Sequence, residues 1–149
     1  MGERVCIVSG GNSGIGFELC RGMAQAGFHV VMVSRGAERG LPALEELQAE
    51  FGDSIEMMLC DMSDLDNISK LHAEFTAKFD RLDVLLNNAG AMWGRREITA
   101  QGNEMTFGVN HLGYFLMAQT FLPLLKATEG SRIINTASEA HKIANLKLN

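Results

Sequence analysis

The stretch that most constrains this chain is Val5 to Gly16, which reads VCIVSGGNSGIG. Val5 to Ser9 is a run of apolar and small residues, the signature of a buried strand. Gly10, Gly14 and Gly16 follow, with Asn12 and Ser13 between the first two. From there Ile15, Leu19, Met23 and Ala26 share one face of a helix. Strand, glycine turn and helix together make an anion cradle. Glycine lets the backbone turn tightly and approach a ligand, and the helix N-terminus presents unpaired N–H groups and the positive end of its dipole. A pyrophosphate fits such a cradle. The spacing is GxxxGxG rather than GxGxxG, and no Gly-Lys-Ser/Thr follows the glycines, so a P-loop is excluded.

The same alternation continues along the chain. His29–Val33, Ile55–Leu59, Leu82–Leu86 and Arg132–Thr136 are further apolar runs read as strands. Between them lie helical patterns. Leu41, Leu44, Leu47 and Phe51 form one. Leu65, Ile68, Leu71, Phe75 and Phe79 form another, with Ser63 or Asp64 expected as its N-cap. A long helix is expected from Gln101 to Lys126, bent or ended by Pro123. Ser138 to Asn149 reads as loop. Strands alternating with helices predict an α/β fold with a parallel sheet covered on both faces.

Composition narrows the function. With 149 residues, 46% hydrophobic, the chain suits one globular domain with a real core. The net charge of −5 and the lack of any basic run argue against a nucleic-acid partner. No apolar run reaches the length of a membrane span and no signal peptide precedes the first strand, which points to a cytoplasmic protein. Cys6, Cys20 and Cys60 sit in apolar segments without metal-ligand spacing, and are expected as buried, reduced thiols. No metal site is expected.

Two motifs together, the GxxxGxG turn and Asn87-Asn88-Ala89-Gly90 after the fourth strand, resemble the short-chain dehydrogenase/reductase family. The resemblance runs from about Arg4 to the last residues. The phrase FLPLLKATEGSRIINTASEAH resembles that family's retinol-dehydrogenase-like branch. The resemblance implies a doubly wound, Rossmann-like sheet in strand order 3-2-1-4-5. A nicotinamide dinucleotide would lie across the ends of strands 1 and 4. The reaction would be hydride transfer between that cofactor and a carbonyl or alcohol, with a lipophilic substrate.

Residue by residue, Gly10, Asn12, Ser13, Gly14, Ile15 and Gly16 would hold the pyrophosphate. Sites that prefer NAD usually carry a carboxylate after the second strand, to hold the ribose 2′-hydroxyl. Here Ser34-Arg35 stands there, and a guanidinium suits a 2′-phosphate, so NADP(H) is favoured over NAD(H). The alternative is an ordinary solvated arginine before a helix. Arg39 could assist. Asp61 would accept a hydrogen bond from the adenine amino group, with Met62 beside it; the alternative is a turn aspartate ahead of a helix. Asn88, Ala89 and Gly90 would line the middle of the cofactor, the asparagines also tying strands together. Asn110, a poor residue for a helix interior, matches the family's catalytic asparagine; there the resemblance implies a local helix distortion, with the asparagine carbonyl holding a water in a proton relay. Ser138 matches the catalytic serine that polarises the substrate carbonyl. His111 is read as packing or surface, as are His29, His72 and His141.

One element of the family pattern does not occur. The acid/base Tyr-x-x-x-Lys, in which the lysine lowers the tyrosine pKa, is absent. The sole tyrosine, Tyr114, is followed four residues on by Ala118. The chain is therefore expected to be the cofactor-binding, N-terminal part of such an enzyme, spanning residues 1–149 and inactive alone. Its fifth strand would be an open edge and its long helix a bared face, prone to pair with a second copy or a related chain. The competing expectation is a nucleotide-binding or partner-binding module that never turns over substrate.

Overall fold

The computed structural model describes residues 3–142. Five parallel strands form the sheet: β1 (Arg4–Ser9), β2 (Phe28–Ser34), β3 (Ile55–Leu59), β4 (Val84–Asn87) and β5 (Arg132–Asn135). Their spatial order is β3-β2-β1-β4-β5, as the resemblance implies. Helices α1 (Gly14–Gln25), α2 (Ala37–Phe51) and α3 (Asp66–Thr76) connect the first four strands. A short helix α4 (Met105–Phe107) and helix α5 (Gly113–Ala127) lead into β5.

Alternation along β1 sends its side chains to two cores. Val5 and Ile7 pack with Val31, Phe75, Met117, Phe121 and Leu125 under α3 and α5. Cys6 and Val8 pack with Cys20, Val30, Met32 and Leu47 under α1 and α2. Helices on both faces explain why β1 and β2 read as continuous apolar runs. The three cysteines are free and buried. Burial pushes the Cys20 and Cys60 thiols up to about 12, so both stay protonated at neutral pH. No helix among the described residues is long and apolar enough to cross a membrane.

Several boundaries differ from the sequence reading. β4 begins at Val84, because Leu82 and Asp83 precede the ladder: the Asp83 carboxylate accepts from Val5 N at 2.9 Å and from Arg81. The N-cap position of α3 is Leu65; Asp64 lies one residue earlier, its carboxylate accepting from Asp66 N at 3.2 Å. Helix begins at Met105 rather than Gln101, where the Glu104 carboxylate accepts from Thr106 N and Phe107 N, both at 2.8 Å. Pro123 does not end α5, which continues to Ala127. Pro123 and Gln119 both face solvent, so water can satisfy the Gln119 carbonyl that the proline leaves without its donor. Glu139–Lys142 forms a single 3-10 turn where loop was expected, and residues 143–149 lie outside the described residues.

β5 is an edge strand in the described sheet, and each of its four residues is exposed. Phe107 and Phe115 are also exposed, at 51% and 60%.

Candidate functional site

The C-terminal ends of β1, β2, β3 and β4 open into one cleft of about 630 Å³, inside the roughly 300–1,000 Å³ span of ligand pockets. It lies where the chain order reverses across the sheet, between β1 and β4. Gly10, Asn12, Ser13, Ile15, Gly16, Arg35, Asp61, Met62, Asn88, Ala89 and Gly90 all line it. Gly14, the remaining residue expected there, faces outward instead.

The glycines have distinct tasks. Gly10 has φ +68, and a Cβ there would sit 2.8 Å from the Ala89 Cα. A Cβ on Gly16 would overlap the Gly10 carbonyl. These two glycines thus let the turn press against the end of β4. Gly14 has φ +55 with open space around it, so backbone conformation alone selects glycine there. Gly11, which the motif does not single out, is buried, and a Cβ on it would strike Met32 and Cys20.

Ser9, fully buried, joins β1 to β4. Its hydroxyl oxygen accepts from Asn88 N at 2.9 Å and Ala89 N at 3.0 Å. The Asn88 side chain donates to the Ser9 carbonyl at 3.1 Å and accepts from the Thr136 hydroxyl at 3.2 Å. Asn87 donates to the Asn135 side chain at 2.9 Å. The asparagines therefore staple β1, β4 and β5.

The donor groups along the cleft suit an anionic dinucleotide. Ser13 is the N-cap of α1 yet makes no side-chain cap bond, so the first-turn amides are not consumed by it. Gly36 caps α2 likewise without a side chain. Arg35 and Arg39 both line the cleft and form no hydrogen bond or ion pair among the described residues. Glu38 lines it too. The Asp61 Oδ1 atom accepts from Ser63 N at 2.9 Å and from the Ser63 hydroxyl at 2.7 Å. That turn leaves Oδ2 without a hydrogen bond among the described residues.

Asn110 sits in a π-helical stretch, Gly108–Leu112, between α4 and α5. The widened turn matches the distortion the resemblance implies. Its side chain grips the loop after β4 with both hands: Oδ1 accepts from Ala91 N at 3.1 Å and Nδ2 donates to the Ala91 carbonyl at 2.8 Å. Ser138 is exposed beyond β5, and neither it nor Asn110 lines the cleft. His111 is exposed and stacks on Phe107 with ring centroids 5.0 Å apart. His72 packs edge-on against Phe121, and His29 lies against Phe79. Tyr114 is half-buried, and burial raises its pKa, the opposite of what a general base requires. Trp93, Val109 and Thr136 also line the cleft, though the motifs gave no sign of them. Their only sequence signal is position, close after the NNAG motif, next to Asn110 and just past the fifth strand.

The sequence matches the short chain dehydrogenase family over residues 4–148. It is 38% identical to retinol dehydrogenase 11 of Mus musculus over 144 residues, 96% of this chain and 46% of that protein. It is 31% identical to human polyprenol dehydrogenase over 98% of this chain and 46% of that one. Among solved structures, the Pseudomonas aeruginosa RhlG/NADP active-site complex superposes with a TM-score of 0.77 at 31% identity, covering 89% of this chain and 53% of that one. The chain thus spans about half the length of the curated relatives it matches.

Proposed function

Since the chain belongs to the short-chain dehydrogenase family, we propose that it forms the nucleotide-binding part of an NADP(H)-dependent oxidoreductase. Hydride would pass between the cofactor and the carbonyl or alcohol carbon of a lipophilic substrate. The observation that carries the reading is the pair of arginines, Arg35 and Arg39, unpaired among the described residues and lining the cleft after β2 where an NAD site would present a carboxylate. A solved relative with NADP in its active site and relatives named for retinol and polyprenol support it.

When bound, the dinucleotide supplies or accepts the hydride at its nicotinamide ring. The chain's own residues bind and orient it. Amides at the start of α1 meet the pyrophosphate, Arg35 meets the 2′-phosphate, and Asp61 and Met62 meet the adenine. Asn88, Ala89 and Gly90 form the wall along the ribose and nicotinamide. With its side chain engaged on Ala91, Asn110 would offer its backbone carbonyl to a water in a proton relay. Ser138 would orient the substrate carbonyl. No residue of the 149 supplies the Tyr-x-x-x-Lys acid/base pair, so turnover calls for a proton donor beyond these residues. A second reading is a binding module without turnover.

Titration of the 149-residue chain with NADPH and NADH separates these readings from a failed one. NADPH is expected to bind more tightly, and Arg35→Ala to weaken NADPH about tenfold or more while NADH changes little. Equal losses for both would remove Arg35 from the 2′-phosphate. Steady NADPH oxidation with any carbonyl by this chain alone would show that another residue donates the proton.

A further inference from the structure

The turn between the loop after β4 and helix α4 contacts the segment that leaves β3. Residues 98–104 close on themselves: Ile98 and Glu104 form an antiparallel bridge, and Thr99 N donates to the Asn103 carbonyl at 2.8 Å. Thr99 is buried, its hydroxyl accepts from Asn103 N, and its methyl packs on Gly108 at the start of the π-helical stretch. The turn is therefore a preformed platform with Gln101 at its tip. That tip meets the segment from Asp61 to Leu65, which leaves β3 along the cleft. Ala100 N donates to the Ser63 carbonyl at 3.3 Å. The Gln101 side chain uses both ends of its amide: Oε1 accepts from Leu65 N at 3.1 Å and Nε2 donates to Asp64 Oδ1 at 2.8 Å. The amide can point only one way, because Leu65 N needs an acceptor and the Asp64 carboxylate needs a donor. That Nε2–H, ahead of Asp66 N–H, holds the Asp64 carboxyl below the usual carboxylate range.

The braced segment is short and internally linked. Asp64 N donates to the Asp61 carbonyl at 3.1 Å, and Ser63 holds Asp61 Oδ1. Asp61 lines the cleft, and its Oδ2 makes no hydrogen bond among the described residues, so fixing Asp64 and Leu65 from outside restricts how the Asp61 carboxylate is held there. We propose that Gln101 is a positioning residue for nucleobase recognition: it holds the Asp61–Leu65 turn so that Asp61 Oδ2 meets the exocyclic amino group of adenine. The inference rests on the reading of Asp61 given above. It adds a residue 36 positions away from the segment it braces, on an element with no part in the Rossmann cradle.

The test compares NADPH with its analogue carrying hypoxanthine, which has an oxygen where adenine has the amino group. Both are titrated into the full 149-residue chain, with helical content checked by circular dichroism. The unaltered chain is expected to prefer NADPH about tenfold, the worth of one charge-assisted hydrogen bond. Asp61→Ala is expected to abolish that preference. Gln101→Met, which keeps the length of the side chain but offers no amide, is expected to cut it to about threefold or less by weakening NADPH alone, with the analogue unchanged. A purely structural loss would weaken both ligands together, and that result overturns the proposal. If Asp61→Ala removes the preference while Gln101→Met keeps it, Gln101 is not the positioning group. If Asp61→Ala leaves the preference intact, the reading of Asp61 itself falls, and the proposal with it. Hydrogen exchange at Leu65 N in the unaltered chain gives a check that needs no variant. NADPH should slow it more than the hypoxanthine analogue does, and equal slowing overturns the proposal.

Discussion

β4 and β5 are neighbours in one sheet with matching register, yet they live in different environments. Leu85 pairs with Ile133, and Leu86 with Ile134. The two leucines are 0% and 4% exposed, whereas the two isoleucines are 40% and 48% exposed. Both strands have the backbone ladder and the apolar side chains that favour a strand. Among the described residues, only β4 of the two has packed layers on both faces and a strand on each edge. The difference teaches that backbone pairing sets where a strand lies, while covered apolar area sets how much it stabilises.

Three comparisons would sharpen or break that contrast. The largest concerns the paired side chains: Leu85→Ala should cost about 2–5 kcal/mol in denaturant unfolding, by loss of burial and a residual cavity. Ile133→Ala should cost about 1 kcal/mol or less, since half of that side chain already meets water. Equal costs would mean that β5 is covered in solution, by another copy or another chain. Next comes the stitching. Ser9→Ala leaves the Asn88 and Ala89 amides facing a buried methyl, and should cost about 1–3 kcal/mol. Thr136→Val removes only the exposed link from the β5 end to Asn88, and should stay within about 0.5 kcal/mol. A larger effect at Thr136 would place real stability in the β5 edge.

The smallest effect is one of pH. Burial would raise the Asp83 pKa, but Arg81 and the Val5 amide outweigh it and hold the carboxyl below its usual range. A depressed folded pKa means the stabilisation is complete above the unfolded value, about 3.9, and is lost as pH falls through the folded value. The chain should therefore lose more stability between pH 7 and pH 3 than Asp83→Asn does over the same range. Parallel losses would show that the start of β4 is not held by this charge. β5 starts at the exposed Arg132 and should show no counterpart.

The sequence conveyed this fold well where period and spacing carry the information. Alternating apolar runs located every strand, and the GxxxGxG and NNAG motifs pointed to residues that the fold brings into one cleft. It conveyed less where a long-range partner decides the outcome. Gln101 reads as an ordinary helix former, yet it lies in a turn because Glu104 caps the helix three residues later and Asp64 offers its amide a partner from a distant segment. Pro123 reads as a bend or an end, and α5 continues through it because the affected turn faces water. Gly14 and Gly16 look equivalent in the motif, but one is selected by a positive φ and the other by the Gly10 carbonyl against it. Trp93 stands outside every motif and is brought to the cleft by the loop that Asn110 grips.

The strand order has a consequence for how the molecule assembles. β1 is the earliest of the five described strands along the chain but a central one in the sheet, and one of its two neighbours, β4, lies far along the chain; Val5 meets Asp83 across 78 positions. Half of the β1 ladder thus waits on a large loop closure, the kind of non-local pairing that slows folding. The cleft draws its walls from chain ends as distant as Gly10 and Thr136, so it exists only after that closure is complete. Nucleotide binding, followed during refolding, would then report the last step of sheet assembly rather than the first.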